Sequence, residues 1–492
     1  MLVKKVAIIG AGYSGLAASA ILSAAGYDVT VFEKNNQAGG RARSFSDQGF
    51  TFDMGPSWYW MPDVFESFYG RFGKCAKDFY DLKRLSPSFA IHYSEGDCMH
   101  VPSSVKMICE LFEKTEEGAG NKLKEFLSEA GEKYRIAISD KLVFKPSLSW
   151  KEYIELAGKR NTWQLQLFSS FHKHVRRFFR HPRLIALMEF PVLFLGALPV
   201  QTPALYSLMN YAGLSLGTWY PMGGMYKTIE AMTDLAISNG VKIRCNSEVN
   251  SIDCRKGKVK GLSVKGEYHR ADAIIASADY HHIEQTLLPE EFRMYSPKYW
   301  NSRKMSPSAL IFFVGVNRKL KNLLHHNLFF DTDFSTHAKE IYVKSAYPTA
   351  PLFYVSCPSQ TDPVVAPEGK ENLFILIPIA SGLNDDEETR SYYFDLVMKR
   401  LENITGNDFR NDIEVQKSYS LNEFKADYHA FKGNAYGLAN TFLQTAFLKP
   451  KMQNRKLKNL FYAGQLTVPG PGVPPSIISG QIAAAEVIKY LN

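Results

Sequence analysis

Three glycines, Gly10, Gly12 and Gly15, stand between an apolar run, Val6 to Ile9, and a small-residue stretch, Leu16 to Ala25. That spacing serves phosphate chemistry. The first glycine allows a tight turn, the second lets the backbone approach a pyrophosphate, and the third lets a helix pack closely on a strand. The helix-like stretch from Leu16 follows, and its free N–H groups and positive end would face the phosphates. Glu33 follows a second apolar run, Asp28 to Phe32, and completes the set. A carboxylate there accepts both hydroxyl hydrogens of an adenosine ribose and disfavours a ribose phosphorylated at that position. These residues point to a bound dinucleotide rather than to a structural glycine turn.

The elements that must hold these residues are a strand, a helix and a second strand. Val6 to Ile9 is continuously apolar, as a parallel strand buried on both faces requires. Gly26 stops the helix, and Asp28 to Glu33 reads as the next strand. Later segments are expected to return to this unit. Gly223 and Gly224 precede a helical pattern through Tyr226, Ile229, Met232 and Leu235, then a strand from Val241 to Arg244. Ala271 to Ser277 reads as another strand. Asn459 to Gln465 is a third, and it leads through Pro469, Gly470, Gly472, Val473 and Pro474 into a closing helix, Ile477 to Leu491, with Ser476 as its N-cap.

After the second strand come Lys34, then Gly39, Gly40, Arg41 and Arg43, then Asp53, Gly55, Pro56 and Ser57. In these motifs, and in its Pro/Gly-rich ending, the chain resembles the large FAD family that includes amine oxidases, protoporphyrinogen oxidase and phytoene desaturases. It looks specifically like the bacterial phytoene-desaturase type. The resemblance runs along the whole chain and is densest over residues 1–70, 215–285 and 455–492. It implies FAD as cofactor, with Gly10, Gly12, Tyr13, Ser14, Gly15, Glu33 and Lys34 around the nucleotide. It further implies that Gly40 and Arg41 lie near the pyrophosphate, and Gly55, Pro56 and Ser57 near the isoalloxazine. A residue like Val249 would contact the adenine. Gly464, Gln465, Val473, Pro474 and Ile477 would bring the closing helix to the flavin, its positive end facing the pyrimidine ring. Many relatives carry Asp or Glu where this chain has Gln465. Arg43 is given no role.

The expected fold is α/β. A discontinuous Rossmann-type FAD-binding domain is assembled from residues 1–70, 221–285 and 451–492. Residues 71–220 form a helical substrate and membrane-associating region, and residues 286–450 a substrate-binding domain built on a sheet. The implied activity is desaturation of a long carotenoid, by hydride transfer to flavin in an apolar tunnel. Colourless phytoene is preferred over 3,4-desaturation of a hydroxylated or γ-type carotenoid, although the motifs are common to both. A carotenoid isomerase without net redox change and an amine oxidase are the alternatives, and oxygen or a quinone would reoxidise the flavin. Glu152 is the candidate for taking the proton; His281 and His282 are read as structural.

Bulk properties fit. Hydrophobic residues at 45% and charged ones at 22% are those of a globular protein, excluding disorder. Six scattered cysteines without a C-x-x-C pair suggest neither a disulfide framework nor a metal site, and a reducing, cytoplasmic setting. The net charge of +9 comes with no nucleic-acid recognition motif, which leaves an anionic lipid surface as its partner. The Gly-bearing start is read as this motif and not as a signal peptide, and no run is long enough to span a bilayer. A basic stretch, His172 to Arg183, leads into the apolar, Pro191-broken Leu184 to Leu198, which suits monotopic docking on the inner face of the cell membrane. Moving a forty-carbon polyene from bilayer to water would cost on the order of 30 kcal/mol, at roughly 0.8 kcal/mol per carbon. Its enzyme must therefore meet it at the membrane.

Overall fold

Five strands separated by up to two hundred residues of chain come together in one parallel sheet. Their spatial order is Leu460–Tyr462, Ala273–Ala276, Lys5–Ile9, Asp28–Phe32 and Lys242–Arg244. The computed structural model describes residues 3–139, 142–145, 166, 169–193, 196–445 and 448–492. Lys5–Ile9 lies at the centre with Val6 to Ile9 all buried, which is why its sequence is apolar without alternation. One face of the sheet is covered by the helices Tyr13–Ala24, Lys227–Ser238 and Val473–Leu491, through Leu16, Ile229 and Ile482. The other face packs on a three-stranded antiparallel sheet, Val249–Arg255, Lys258–Val264 and Glu267–Arg270.

The second large element is a seven-stranded mixed sheet. Its order is Ile413–Tyr419, Ser308–Val316, Glu371–Ile379, Phe353–Ser356, His326–Phe329, Phe89–Ser94 and Asp97–Val101. Ile311, Leu376 and Tyr354 stand opposite one another on three neighbouring strands, so they share one face. That face packs against the helices Val105–Thr115, Ala119–Tyr134, Phe171–Phe178 and Pro182–Leu193; the helix Glu387–Thr405 covers the other.

Two expectations change here. The 71–220 region is not only helical, since Phe89–Ser94 and Asp97–Val101 complete the edge of the substrate sheet. The run Phe89 to His92 is buried throughout, which removes the alternation that marks a half-exposed strand. In the apolar segment beginning at Leu184, the residues Leu184, Leu187, Met188, Phe190 and Val192 are core residues and do not face lipid. Two of its basic neighbours are engaged, Arg176 with Glu189 at 2.6 Å and Arg183 with Asp97. Among the described residues no helix is long and apolar enough to cross a membrane.

Candidate functional site

The turn from Lys5–Ile9 into Tyr13–Ala24 opens onto a cavity of about 560 Å³ that runs from the parallel sheet to the face of the seven-stranded sheet. Gly10 takes φ +99° and donates its N–H to Phe32 at 2.8 Å, which fixes the turn to the next strand. A Cβ on Gly15 would stand 2.0 Å from the Gly10 carbonyl oxygen, so only glycine lets this helix approach the strand. A Cβ on Gly12 would meet nothing within 4 Å. The head of the helix therefore faces open cavity, a cradle for a group that approaches backbone. Tyr13 is different: its hydroxyl bonds Thr228 Oγ1 at 2.6 Å and its ring belongs to the core. Ser14 is held by Ser277, Oγ to Oγ at 2.7 Å.

Glu33 is buried at the cavity wall. Its carboxylate accepts from Ala11 N at 2.8 Å and from Asn35 N at 2.9 Å, which orients it while leaving acceptor capacity for ribose hydroxyls. Arg41 faces the same space. Its Nη2 donates to the Asn434 carbonyl at 3.2 Å, and the Gln465 amide lies 3.0 Å from both Arg41 Nη2 and Asn434 Oδ1. The Arg41 Nε is enclosed with no hydrogen-bond partner among the described residues. Burial lowers the Arg41 pKa, opposed by the field of Asp279. An arginine held this way, beside a glycine turn and a helix N-terminus, lacks an anion; these residues fit the pyrophosphate of FAD.

Arg43, given no role from the sequence, is buried and ion-paired with Asp427, with Tyr428 Oη at 3.3 Å. Both arginines lie over the Tyr428 ring, Arg41 at 5.0 Å and Arg43 at 5.3 Å. Asp427 and Tyr428 end the helix Leu421–Tyr428 and were not foreseen, because nothing in their local spacing marks them. Asp53 likewise turned out to be structural. Its carboxylate accepts from Met225 N at 2.7 Å and Tyr226 N at 3.0 Å, and burial raises its pKa to about 6. It ties the Gly55–Ser57 segment to the Gly223–Met225 turn.

Beyond Gly55, Pro56 and Ser57 the cavity wall becomes apolar, with Leu205, Met209, Ile311 and Leu376. Tyr354 donates to Ser57 Oγ at 2.9 Å and pairs with His326 Nδ1 at 2.6 Å, while Trp58 stacks on the His326 ring at 4.0 Å. Burial keeps His326 neutral.

Of the expected cofactor residues, Gly10, Gly12, Tyr13, Ser14, Glu33, Lys34, Gly40, Arg41, Gly55, Pro56, Ser57, Val249, Gly464, Gln465, Val473 and Pro474 line this one cavity. Gly15 and Ile477 do not: Gly15 packs helix against strand, and Ile477 is wholly buried in the core. Lys34 turns its ammonium to the Ala426 carbonyl. Glu152 lies outside the described residues. The closing helix starts three residues before the expected N-cap, with Gly472 in that position and Ser476 already inside the first turn. Prolines are compatible with a helix's first turn, where no N–H is needed. His282 stacks on His429 at 3.9 Å at the cavity wall, and His281 on Phe431 at 4.0 Å.

Comparison with known proteins agrees with this architecture. Residues 13–488 match the family described as flavin containing amine oxidoreductase. The chain is 38% identical to a carotenoid 3,4-desaturase of Haloarcula japonica, over 98% of each chain. It is 31% identical to a 4,4'-diapophytoene desaturase (4,4'-diaponeurosporene-forming) of Staphylococcus haemolyticus, over 99% of each. Among solved structures, an oxidoreductase from Methanosarcina mazei shares the fold with a TM-score of 0.61 at 18% identity, covering 97% of this chain and 99% of that one. With the nucleotide cradle, the buried Arg41 and the apolar extension in one cavity, the chain belongs to the family of flavin-containing amine oxidoreductases, and its cofactor is FAD.

Proposed function

We propose that the chain is an FAD-dependent carotenoid desaturase, an oxidoreductase that introduces a C=C bond into a long isoprenoid hydrocarbon. The observation that carries this reading is a single cavity with a nucleotide cradle in one part and an apolar wall in the other. The chemistry FAD supplies when bound is acceptance of a hydride from an allylic carbon, the neighbouring carbon losing a proton to leave the double bond. The protein's part is placement. Gly12, Gly40, Arg41 and Glu33 hold the nucleotide, and the Gly55–Ser57 segment, pinned by Asp53 and Tyr354, sets where the reactive ring would meet the hydrocarbon. Ile311, Leu376, Leu205 and Met209 exclude water and fix which carbon faces that ring.

A colourless acyclic polyene is the first substrate to test. The higher identity to the 3,4-desaturase favours a second reading, desaturation at the 3,4 position of a conjugated carotenoid. Reoxidation by oxygen or a quinone completes the cycle.

Access from a membrane is part of the proposal. With Leu184, Leu187, Met188, Phe190 and Val192 buried, the rim of the cavity is the better docking surface. Leu443 is 78% exposed and Leu448 41%, on either side of Thr445. Thr445 lines the cavity and bonds Tyr206 Oη at 3.0 Å.

The test is incubation of FAD-loaded protein with liposomes carrying phytoene or, separately, a hydroxylated monocyclic carotenoid, under air or with a quinone. Loss of two hydrogens per step by mass, with red-shifted absorption, is expected in one of the two. Unchanged mass with altered geometry would make the protein an isomerase. No change in either, alongside turnover of a soluble amine, would replace the reading with an amine oxidase.

A further inference from the structure

Lys449 is 3% exposed, and its Nζ has no hydrogen-bond partner among the described residues. Lys133, also fully buried, shows what a settled lysine looks like in this fold. Its Nζ donates to Ser207 Oγ at 3.0 Å, Gln166 Oε1 at 3.2 Å and the Ala204 carbonyl at 3.3 Å. Nothing comparable surrounds Lys449. Burial alone lowers its pKa from 10.5 to about 7, with no charged or titratable neighbour contributing. Asn440, Gly470, Thr467 and Pro450, the residues placed around it, carry no titratable group.

Its location tells what is missing. A Cβ built on Gly470 would stand 3.3 Å from Lys449 Nζ and 3.5 Å from Asn440 Oδ1, which is itself buried and partnerless. Asn440 and Gly470 both line the cavity. The Thr467 hydroxyl donates to the Pro450 carbonyl at 2.7 Å, tying the lysine's own segment to this loop. Two residues further on, Gly472 caps the Val473–Leu491 helix, whose first turn has no acidic residue to neutralise its positive end. Gly470 thus stands beside an unpaired ammonium, lines the cavity, and lies two residues before a helix N-terminus. Keeping a charge there without a partner is costly unless a ligand supplies one.

A hydrocarbon polyene supplies none. The flavin ring does, in one redox state: FAD with two electrons and one proton gives FADH⁻, whose extra charge is spread over the pyrimidine. We propose that Lys449 is the protein's counter-charge for the reduced flavin, a positioning residue that raises the reduction potential of the bound cofactor. Gly470 takes φ +137°, which favours glycine, and a Cβ there would crowd the ammonium at 3.3 Å. The proposal rests on FAD occupying this cavity, and not on which hydrocarbon is desaturated.

The experiment is equilibration of FAD-loaded, carotenoid-free protein with a redox dye, for wild type, Lys449→Met and Lys449→Arg. In the Met variant the ratio of reduced to oxidised flavin at a fixed potential is expected to fall about tenfold or more, about 30 mV for a two-electron couple. The Arg variant keeps the charge and is expected to stay near wild type. The affinities of the apo variants for oxidised and for reduced FAD give the same quantity and cover a variant that loads poorly. Apo Lys449→Met is expected to melt at or above wild type, because it removes an unsatisfied buried charge. A Met variant with an unchanged ratio, an Arg variant as low as Met, or an apo Met variant that melts below wild type would each overturn the proposal. Because no carotenoid is present, a negative result here leaves the desaturase reading standing, and a failure to desaturate leaves this measurement intact.

Discussion

Arg41 and Lys449 are both cations enclosed without a carboxylate bonded to them, and each makes a different kind of prediction. Arg41→Met removes charge-assisted hydrogen bonds to an anion, worth about 1.5–3 kcal/mol. FAD affinity, read by flavin fluorescence on titrating the apo protein, should fall about tenfold to hundredfold, with apo melting nearly unchanged. Lys449 predicts a pH effect on the apo protein. Its folded pKa of about 7 lies below the ordinary 10.5, so between those values the unfolded chain binds more protons. Stability from this group therefore rises with pH from about 7 to about 10, by at most about 1.4 kcal/mol per unit, and Lys449→Met should flatten that slope in chemical denaturation. Glu33 was legible in the sequence because it ends the strand that follows the glycine turn and helix, whereas the place of Arg41 was implied by the resemblance of its Gly-Gly-Arg stretch to the family's. Arg43 was not, since its partner Asp427 lies 384 residues away and nothing local distinguishes a clamped arginine from a solvated one.

The element that binds nucleotide can be dissected by two neighbouring glycines. A methyl on Gly15 would be 2.0 Å from the Gly10 carbonyl, a collision between backbones that no rotamer relieves. Gly15→Ala should lower apo stability by about 3 kcal/mol, at the upper end of overpacking costs, or prevent folding. Gly12 has φ −76° and open space ahead of it, so Gly12→Ala should fold and melt like wild type yet lose FAD, because the methyl occupies the cradle. Equal apo melting temperatures for the two variants would contradict the assignment. At this scale the sequence was informative for the nucleotide-binding unit: all five expected strands of the parallel sheet are present and paired. It was silent about which apolar surface a segment meets. Leu184 to Val192 reads as well against lipid as against a protein core, and only the sheet and helices folded over it decide for the core. The early start of the closing helix was missed because prolines were read as a loop, although the first turn accommodates them.

For the whole molecule the open question is how an insoluble substrate reaches an interior wall. Leu184, Leu187, Met188, Phe190 and Val192 are buried in the core, and the net charge of +9 alone gives only weak, salt-sensitive attraction to an anionic bilayer. The apolar rim beside Thr445 would add salt-resistant binding, since Leu443 and Leu448 have surface left to bury. Together they predict that the protein floats with anionic vesicles at low salt and keeps part of that binding at high salt. The double variant Leu443→Asp, Leu448→Asp removes the apolar contribution and adds repulsion, so it should lose the salt-resistant fraction. Its FAD content should remain, because neither leucine is among the residues lining the cavity. Desaturation of carotenoid embedded in vesicles should then fall at least about tenfold, the equivalent of about 1.4 kcal/mol of lost contact, while reduction of the bound flavin by a small artificial donor is unchanged. Retained turnover on vesicles by this variant would place the entry elsewhere on the surface.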